Sequence, residues 1–149
     1  MLKVIQDHSP WYAQGLNFKC TGCGQCCTGS PGYIWVDEEE IQQIAQHLKL
    51  TIDQFSRQYL RRVNGRLSLL ELPKSYDCIF LKDNKCQIYQ VRPTQCRTYP
   101  WWPQNLKSEK EWRDAARFCE GIHLDAPVVP LETIEEQRII QEKFNDRTR

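Results

Sequence analysis

Four cysteines crowd into eight consecutive positions near the start of the chain, as Cys20-x-x-Cys23-x-x-Cys26-Cys27. Four more follow at Cys78, Cys86, Cys96 and Cys119, in a chain of 149 residues. Eight thiols in one chain of this size must do something specific, and the compartment decides what. No apolar run approaches the roughly 18 residues of a membrane helix. The first residues reach only short apolar pairs, Met1-Leu2 and Val4-Ile5, before turning polar. A secretory segment would need an apolar stretch of about 7–15 residues. The expectation is therefore a soluble, cytoplasmic protein. In a reducing cytosol clustered cysteines bind metal or do redox work more often than they form disulfides. Cys26 and Cys27 add a local argument: neighbouring Cα atoms lie about 3.8 Å apart, while a relaxed disulfide wants about 4.4–6.8 Å.

Thiolates are ligands for Zn²⁺ and for iron–sulfur clusters. A Cys-x-x-Cys turn presents two sulfurs on one side of a tight loop, where one metal can take both. Two such turns overlap here through Cys23. The cluster can be read as a zinc knuckle on Cys20-x-x-Cys23-Gly24, or as a ferredoxin-like run of three cysteines at two-residue gaps. The ferredoxin pattern is incomplete, because the next cysteine is adjacent and Thr28 follows it rather than proline. Four of the seven glycines, Gly22, Gly24, Gly29 and Gly32, fall within or just after the cluster. Glycine lets backbone approach a ligand closely. All eight cysteines are candidate metal ligands, in one or two sites, with zinc and iron both open and a lean towards iron–sulfur.

Hydrophobic residues make up 40% of the chain, cysteines included, so the core is thin and metal sites would help hold it. The pattern predicts an α+β fold: several helices around a short antiparallel hairpin or sheet, in one domain over residues 1–149. Asp37-x-x-Glu40 and Thr51-x-x-Gln54 have the form of capping boxes. Ile41, Ile44, Ala45 and Leu48 should face inward from the first helix, and Ile52, Phe55 and Tyr59 from the second. That second helical region should run to about Val63, where Asn64-Gly65 signals a turn between possible strands. Leu67, Leu69 and Leu70 suggest a strand. Cys78 to Leu81 and Cys86 to Tyr89 suggest a hairpin with a cysteine on each arm, turning at Lys82 to Lys85. Pro93 should open a helical turn carrying Cys96. Ser108-x-x-Glu111 should start a helix that holds Trp112, Ala115, Ala116 and Cys119 and stops at Gly121. A last helix over about 133–145 carries Ile134, Ile139, Ile140 and Phe144.

Phe18-Lys-Cys20-x-x-Cys23-x-x-Cys26-Cys27, followed by a short loop and an acidic helix start, resembles the CxxCxxCC cysteine-cluster family, described as a zinc- or iron-chelating domain. The likeness continues through Asp77-Cys78-Ile-Phe-Leu, Lys85-Cys86-Gln-Ile-Tyr89, Val91-Arg92-Pro93-x-x-Cys96-Arg97-x-Tyr99-Pro100 and Phe118-Cys119-x-Gly121. It covers a core of about residues 18–122. Ile79 stands where the family often shows proline. The resemblance implies metal chelation by the eight cysteines, and it does not name a reaction.

The remaining features are weaker. Arg57, Arg61, Arg62 and Arg66 form a basic run that a solvated helix face explains better than nucleic acid does. A formal net charge of +1 gives no general case for nucleic acid or a membrane surface. The Tyr99-Pro-Trp101-Trp102-Pro103 stretch could stack on a nucleic-acid base or a protein partner, though filling the core beside a metal is the simpler reading. Arg92 and Arg97 flank Cys96 and could offset thiolate charge. His123, four residues after Cys119, could replace one sulfur. No Ser-His-Asp, paired-carboxylate or phosphate-loop pattern is present to support hydrolase or kinase chemistry.

Overall fold

Two capping boxes start the helical part of the molecule. In this computed structural model, which describes residues 9–21, 33–83 and 85–148, Asp37 accepts from the Glu40 amide at 2.8 Å while Glu40 accepts from the Asp37 amide at 3.1 Å. Helix α1 (Glu38–His47) follows, with Ile41, Ile44 and Ala45 buried as expected. Thr51 and Gln54 exchange the same pair of bonds and open α2 (Ile52–Tyr59). Phe55 is fully buried, but Ile52 is 49% exposed, so the inward face of α2 is narrower than its apolar pattern suggests. Cys23, Cys26, Cys27, the four glycines around them and Asn84 lie outside the described residues.

The helical region does not run to Val63. Helix α2 stops at Tyr59 and the chain enters β3 (Leu60–Val63) directly. Asn64 and Gly65 both take positive φ, 51° and 82°, which is the two-residue hairpin turn whose twist matches its strands. Strand β4 (Arg66–Leu69) returns antiparallel to β3. An earlier strand, β2 (Ile34–Trp35), pairs with the other edge of β4, giving the order β2-β4-β3. Ladder bonding of Leu60–Val63 to β4 outweighs helix continuation. The sheet and α1–α2 enclose a first core of Val36, Ile41, Ile44, Ala45, Phe55, Leu69, Cys78, Phe80 and Ile88.

The expected hairpin is present but short, as β5 (Leu81–Lys82) and β6 (Lys85–Cys86). Cys86 sits on an arm. Cys78 does not: it precedes β5 and bridges to Glu71 from within the first core. A 3₁₀ turn over Tyr89–Val91 leads to α3 (Thr94–Thr98), capped by Pro93 and carrying Cys96 as predicted. Helix α4 (Pro103–Leu106), which has proline in its first turn, precedes α5 (Glu109–Ala116). Cys119 is not on α5, which ends at Ala116 with Arg117 as its cap.

A second core gathers Tyr12, Trp101, Leu106, Trp112 and Ile134. Strand β1 (Leu16–Asn17) pairs antiparallel with β7 (Val128–Val129), closing this half. The last helix, α6 (Leu131–Thr148), extends past both ends of the expected 133–145 and packs against α3 and α4. Ile134 and Phe144 are buried on it, whereas Ile139 and Ile140 are about two-fifths exposed. Gln141 takes an inward place instead, because its side-chain oxygen accepts from the buried Thr98 hydroxyl at 2.6 Å. The fold is a small α+β domain with short antiparallel sheets.

Candidate metal centre

Cys20, Cys86, Cys96 and Cys119 come from four separate segments and line one cavity of about 180 Å³. Cys20 follows β1, Cys86 ends β6, Cys96 lies in α3, and Cys119 lies in the loop after α5. The cavity is between the two cores: Cys86 packs on the first, while Phe18 and Trp101, which also line the cavity, belong to the second.

Backbone packing brings Cys20 and Cys119 to the same place. The Lys19 amide donates to the Gly121 carbonyl at 3.0 Å, and the Phe18 amide to the Pro127 carbonyl at 3.0 Å. A Cβ on Gly121 would stand 2.5 Å from the Lys19 carbonyl oxygen and 3.0 Å from the Phe18 ring. Only glycine allows that approach without a shift of the backbone. Phe18 meets Trp101 edge-on, with centroids 5.4 Å apart.

Cys96 is placed through its helix. The Pro93 carbonyl accepts from the Cys96 and Arg97 amides at 2.9 and 3.0 Å. Thr94, at the start of the same helix, donates its amide and hydroxyl to the buried carboxyl of Glu40. Arg97 donates to the Thr94 hydroxyl at 3.0 Å.

Arg92 and Arg97 both line the cavity, so the cations expected beside the cysteines are there. Arginine stays charged at any physiological pH, and two such groups are of the right sign to offset negative charge on cavity thiolates. Arg92 donates through Nε to the Tyr89 carbonyl at 2.9 Å, and its guanidinium lies 3.8 Å above the Tyr89 ring. The Tyr89 hydroxyl donates in turn to Cys20 Sγ at 3.9 Å.

The four cysteines lining the cavity carry soft sulfur donors, the ligand chemistry of zinc and of iron–sulfur clusters. Among the described residues no three His, Cys, Asp or Glu side chains converge on a position for a single ion. Cys23, Cys26 and Cys27, the other candidates from the cluster, lie outside the described residues, while Cys20 and Thr21 before them line the cavity. Cys78 is in the first core and is not among the lining residues.

Several sequence expectations change here. His123 lines a different groove with Trp11 and Trp112, its side chain is exposed, and Nδ1 accepts from the Asp125 amide at 3.1 Å. It is therefore not placed to replace a cavity sulfur. Trp101 fills the core, stacked on Trp112 at 5.1 Å between centroids; Trp102 is half-buried and donates its indole N–H to the Gln95 carbonyl at 2.8 Å. The basic run is not one helix face. Arg57 is on α2, Arg61 and Arg62 on β3, and Arg66 on β4. Arg61 lies 4.8 Å over the Tyr33 ring and Arg66 3.8 Å over Trp35, while those two rings stack on each other. Tyr89 and Glu40 were visible in sequence only as a motif residue and as a cap. Nothing in their local spacing announces contacts to Cys20 and Thr94.

Residues 19–120 match the profile of the CxxCxxCC family, which bears the description "Putative zinc- or iron-chelating domain". Among curated proteins, the chain is similar to one from Methanocaldococcus jannaschii, named "Uncharacterized protein MJ0661". The two are 32% identical over 120 residues, which is 76% of this chain and 62% of that protein. The chain thus spans less than two thirds of that relative's length. No solved structure matches it.

Proposed function

The chain belongs to the CxxCxxCC family of zinc- or iron-chelating domains, and on that premise we propose that it binds metal through cysteine thiolates. Cys20, Cys86, Cys96 and Cys119 are the cavity ligands in this reading, and Cys23, Cys26, Cys27 and Cys78 stay candidate ligands. The observation that carries it is that four cysteines distant in sequence line one cavity together with two arginines. The centre is structural at least in part. It joins Cys86, packed on the first core, to Cys20 and Cys119 beside the second.

The lean to an iron–sulfur centre over a single zinc rests on Cys20, Cys23 and Cys26, which stand at the two-residue gaps of a ferredoxin-like run. When bound, such a centre supplies a store for electrons. Cys20 is exposed, which favours a redox role as the second reading. A role in docking a partner through the Trp101–Trp102 stretch would rest on Trp102, since Trp101 is buried.

The test is metal and acid-labile sulfide analysis, with a visible spectrum, on protein purified without oxygen. Iron, sulfide and a broad absorbance that bleaches on reduction are expected. A colourless protein with stoichiometric zinc would overturn the iron–sulfur assignment and keep chelation. Protein that takes up neither metal under reducing conditions would overturn both.

A further inference from the structure

Tyr89 is 47% exposed, belongs to neither core cluster, and yet is held by two separate contacts. Its hydroxyl reaches Cys20 Sγ, 69 residues away in sequence, at 3.9 Å. Its ring lies 3.8 Å beneath the Arg92 guanidinium, which is itself tied back to the Tyr89 carbonyl at 2.9 Å. The 3₁₀ turn between Cys86 and Cys96, closed by the Val91 amide on the Ile88 carbonyl at 2.9 Å, therefore sets a phenol against a third cavity cysteine.

We propose that Tyr89, polarised by Arg92, is a positioning residue for the Cys20 sulfur and sets how firmly the centre holds its metal. The inference rests on Cys20 being a ligand, as argued above. A sulfur accepts a hydrogen bond at longer range than oxygen does, because its lone pairs are diffuse and its radius is larger. A cation over an aromatic face draws electron density from the ring and makes its hydroxyl a better donor. A donor at a thiolate ligand orients the sulfur and takes up part of its charge. Groups that hold metal ligands in this way typically contribute about 10–100-fold in metal affinity.

Arg92 alone could act as a plain compensating charge, and the two roles predict different results. Tyr89→Phe keeps the ring and its place under Arg92 and removes only the hydroxyl. The measurements are competition with EDTA for bound metal and the sulfur-to-iron charge-transfer band of the protein purified without oxygen, with circular dichroism as the check on folding. Tyr89→Phe should release metal at roughly tenfold lower EDTA, the lower end of such effects, and shift the charge-transfer band with unchanged circular dichroism. Arg92→Gln should shift the same band in the wild-type background and have little further effect in Tyr89→Phe. A Tyr89→Phe protein that matches wild type in both measurements overturns the proposal. An Arg92→Gln effect of equal size in both backgrounds overturns it too, because Arg92 then acts on the centre directly. Cys20→Ser separates this failure from a wrong reading of the centre. If Cys20→Ser keeps its full metal content, Cys20 is not a ligand and both fall; if it loses metal while Tyr89→Phe is silent, only the role of Tyr89 falls.

Discussion

Glu40 and Thr94 are joined twice: one carboxyl oxygen of Glu40 accepts both the amide of Thr94, at 2.5 Å, and its hydroxyl, at 2.6 Å. The other oxygen of Glu40 closes the capping box on Asp37. A single side chain, 7% exposed, thus starts α1 and fastens the helix that carries Cys96 and Arg97. Replacing it leaves buried donors without partners. Glu40→Ala should lower stability by about 1–3 kcal/mol, the cost of leaving a buried donor unsatisfied, and loosen metal retention. Urea denaturation with parallel metal analysis checks this; an unchanged midpoint would show that α3 is anchored by other means.

Gly121 and Gly65 make a paired comparison. Gly65 has φ of +82° and open space around it, so Gly65→Ala meets backbone strain alone, about 1–2 kcal/mol. Gly121→Ala instead drives a methyl into the Lys19 carbonyl and pushes apart the segments that bear Cys20 and Cys119. Its overpacking cost is about 1–3 kcal/mol. With metal removed the two variants should have similar midpoints, and only Gly121→Ala should lose metal when it is supplied. Equal metal content in both would refute the role given to this backbone contact.

Alkaline stability should depend on Tyr12. Burial, then the hydrogen bond to Glu135, pushes its pKa up to about 12. An unfolded tyrosine titrates near 10. Below that pH both states keep the proton and the contribution is complete. From about pH 10 to 12 the unfolded chain ionises first, so stability falls as pH rises, by at most about 2–3 kcal/mol. Tyr12→Phe should flatten this part of the stability profile. On the acid side the sign reverses: the Arg138 guanidinium holds Glu135 below the usual carboxylate range, so that pair weakens as pH drops through it.

Trp101 and Ile139 should behave oppositely despite similar apolar character. Trp101 is buried and stacked on Trp112, so Trp101→Ala should cost about 3–5 kcal/mol. Ile139 is at the surface of α6, and Ile139→Ala should stay within about 0.5 kcal/mol. Thermal melts of the two variants decide it.

What could be read from sequence was what depends on near neighbours. Both capping boxes, the Asn64-Gly65 turn and the proline-led turn at Cys96 are decided within four residues, and all are present. Errors came where distant pairing competes with local preference. Leu60 to Val63 left the helix because β4 was there to pair with. Cys119 left α5 because the chain returns to Lys19. Ile139 and Ile140 lost the inward face of α6 to Gln141, whose partner Thr98 lies on another helix.

The cysteine count and its spacing, by themselves, determined the ligand chemistry: soft sulfur donors, too many and too clustered for a chain without metal. They carried no information on which sulfurs share a site. Only the folded chain brings Cys86, Cys96 and Cys119 to Cys20 around one cavity and buries Cys78 in the first core. The physical reason is range. Ligand identity is a property of a side chain, but a site is a set of distances, and those are set by glycine-permitted backbone contact, buried hydrogen bonds and aromatic packing between segments far apart in sequence.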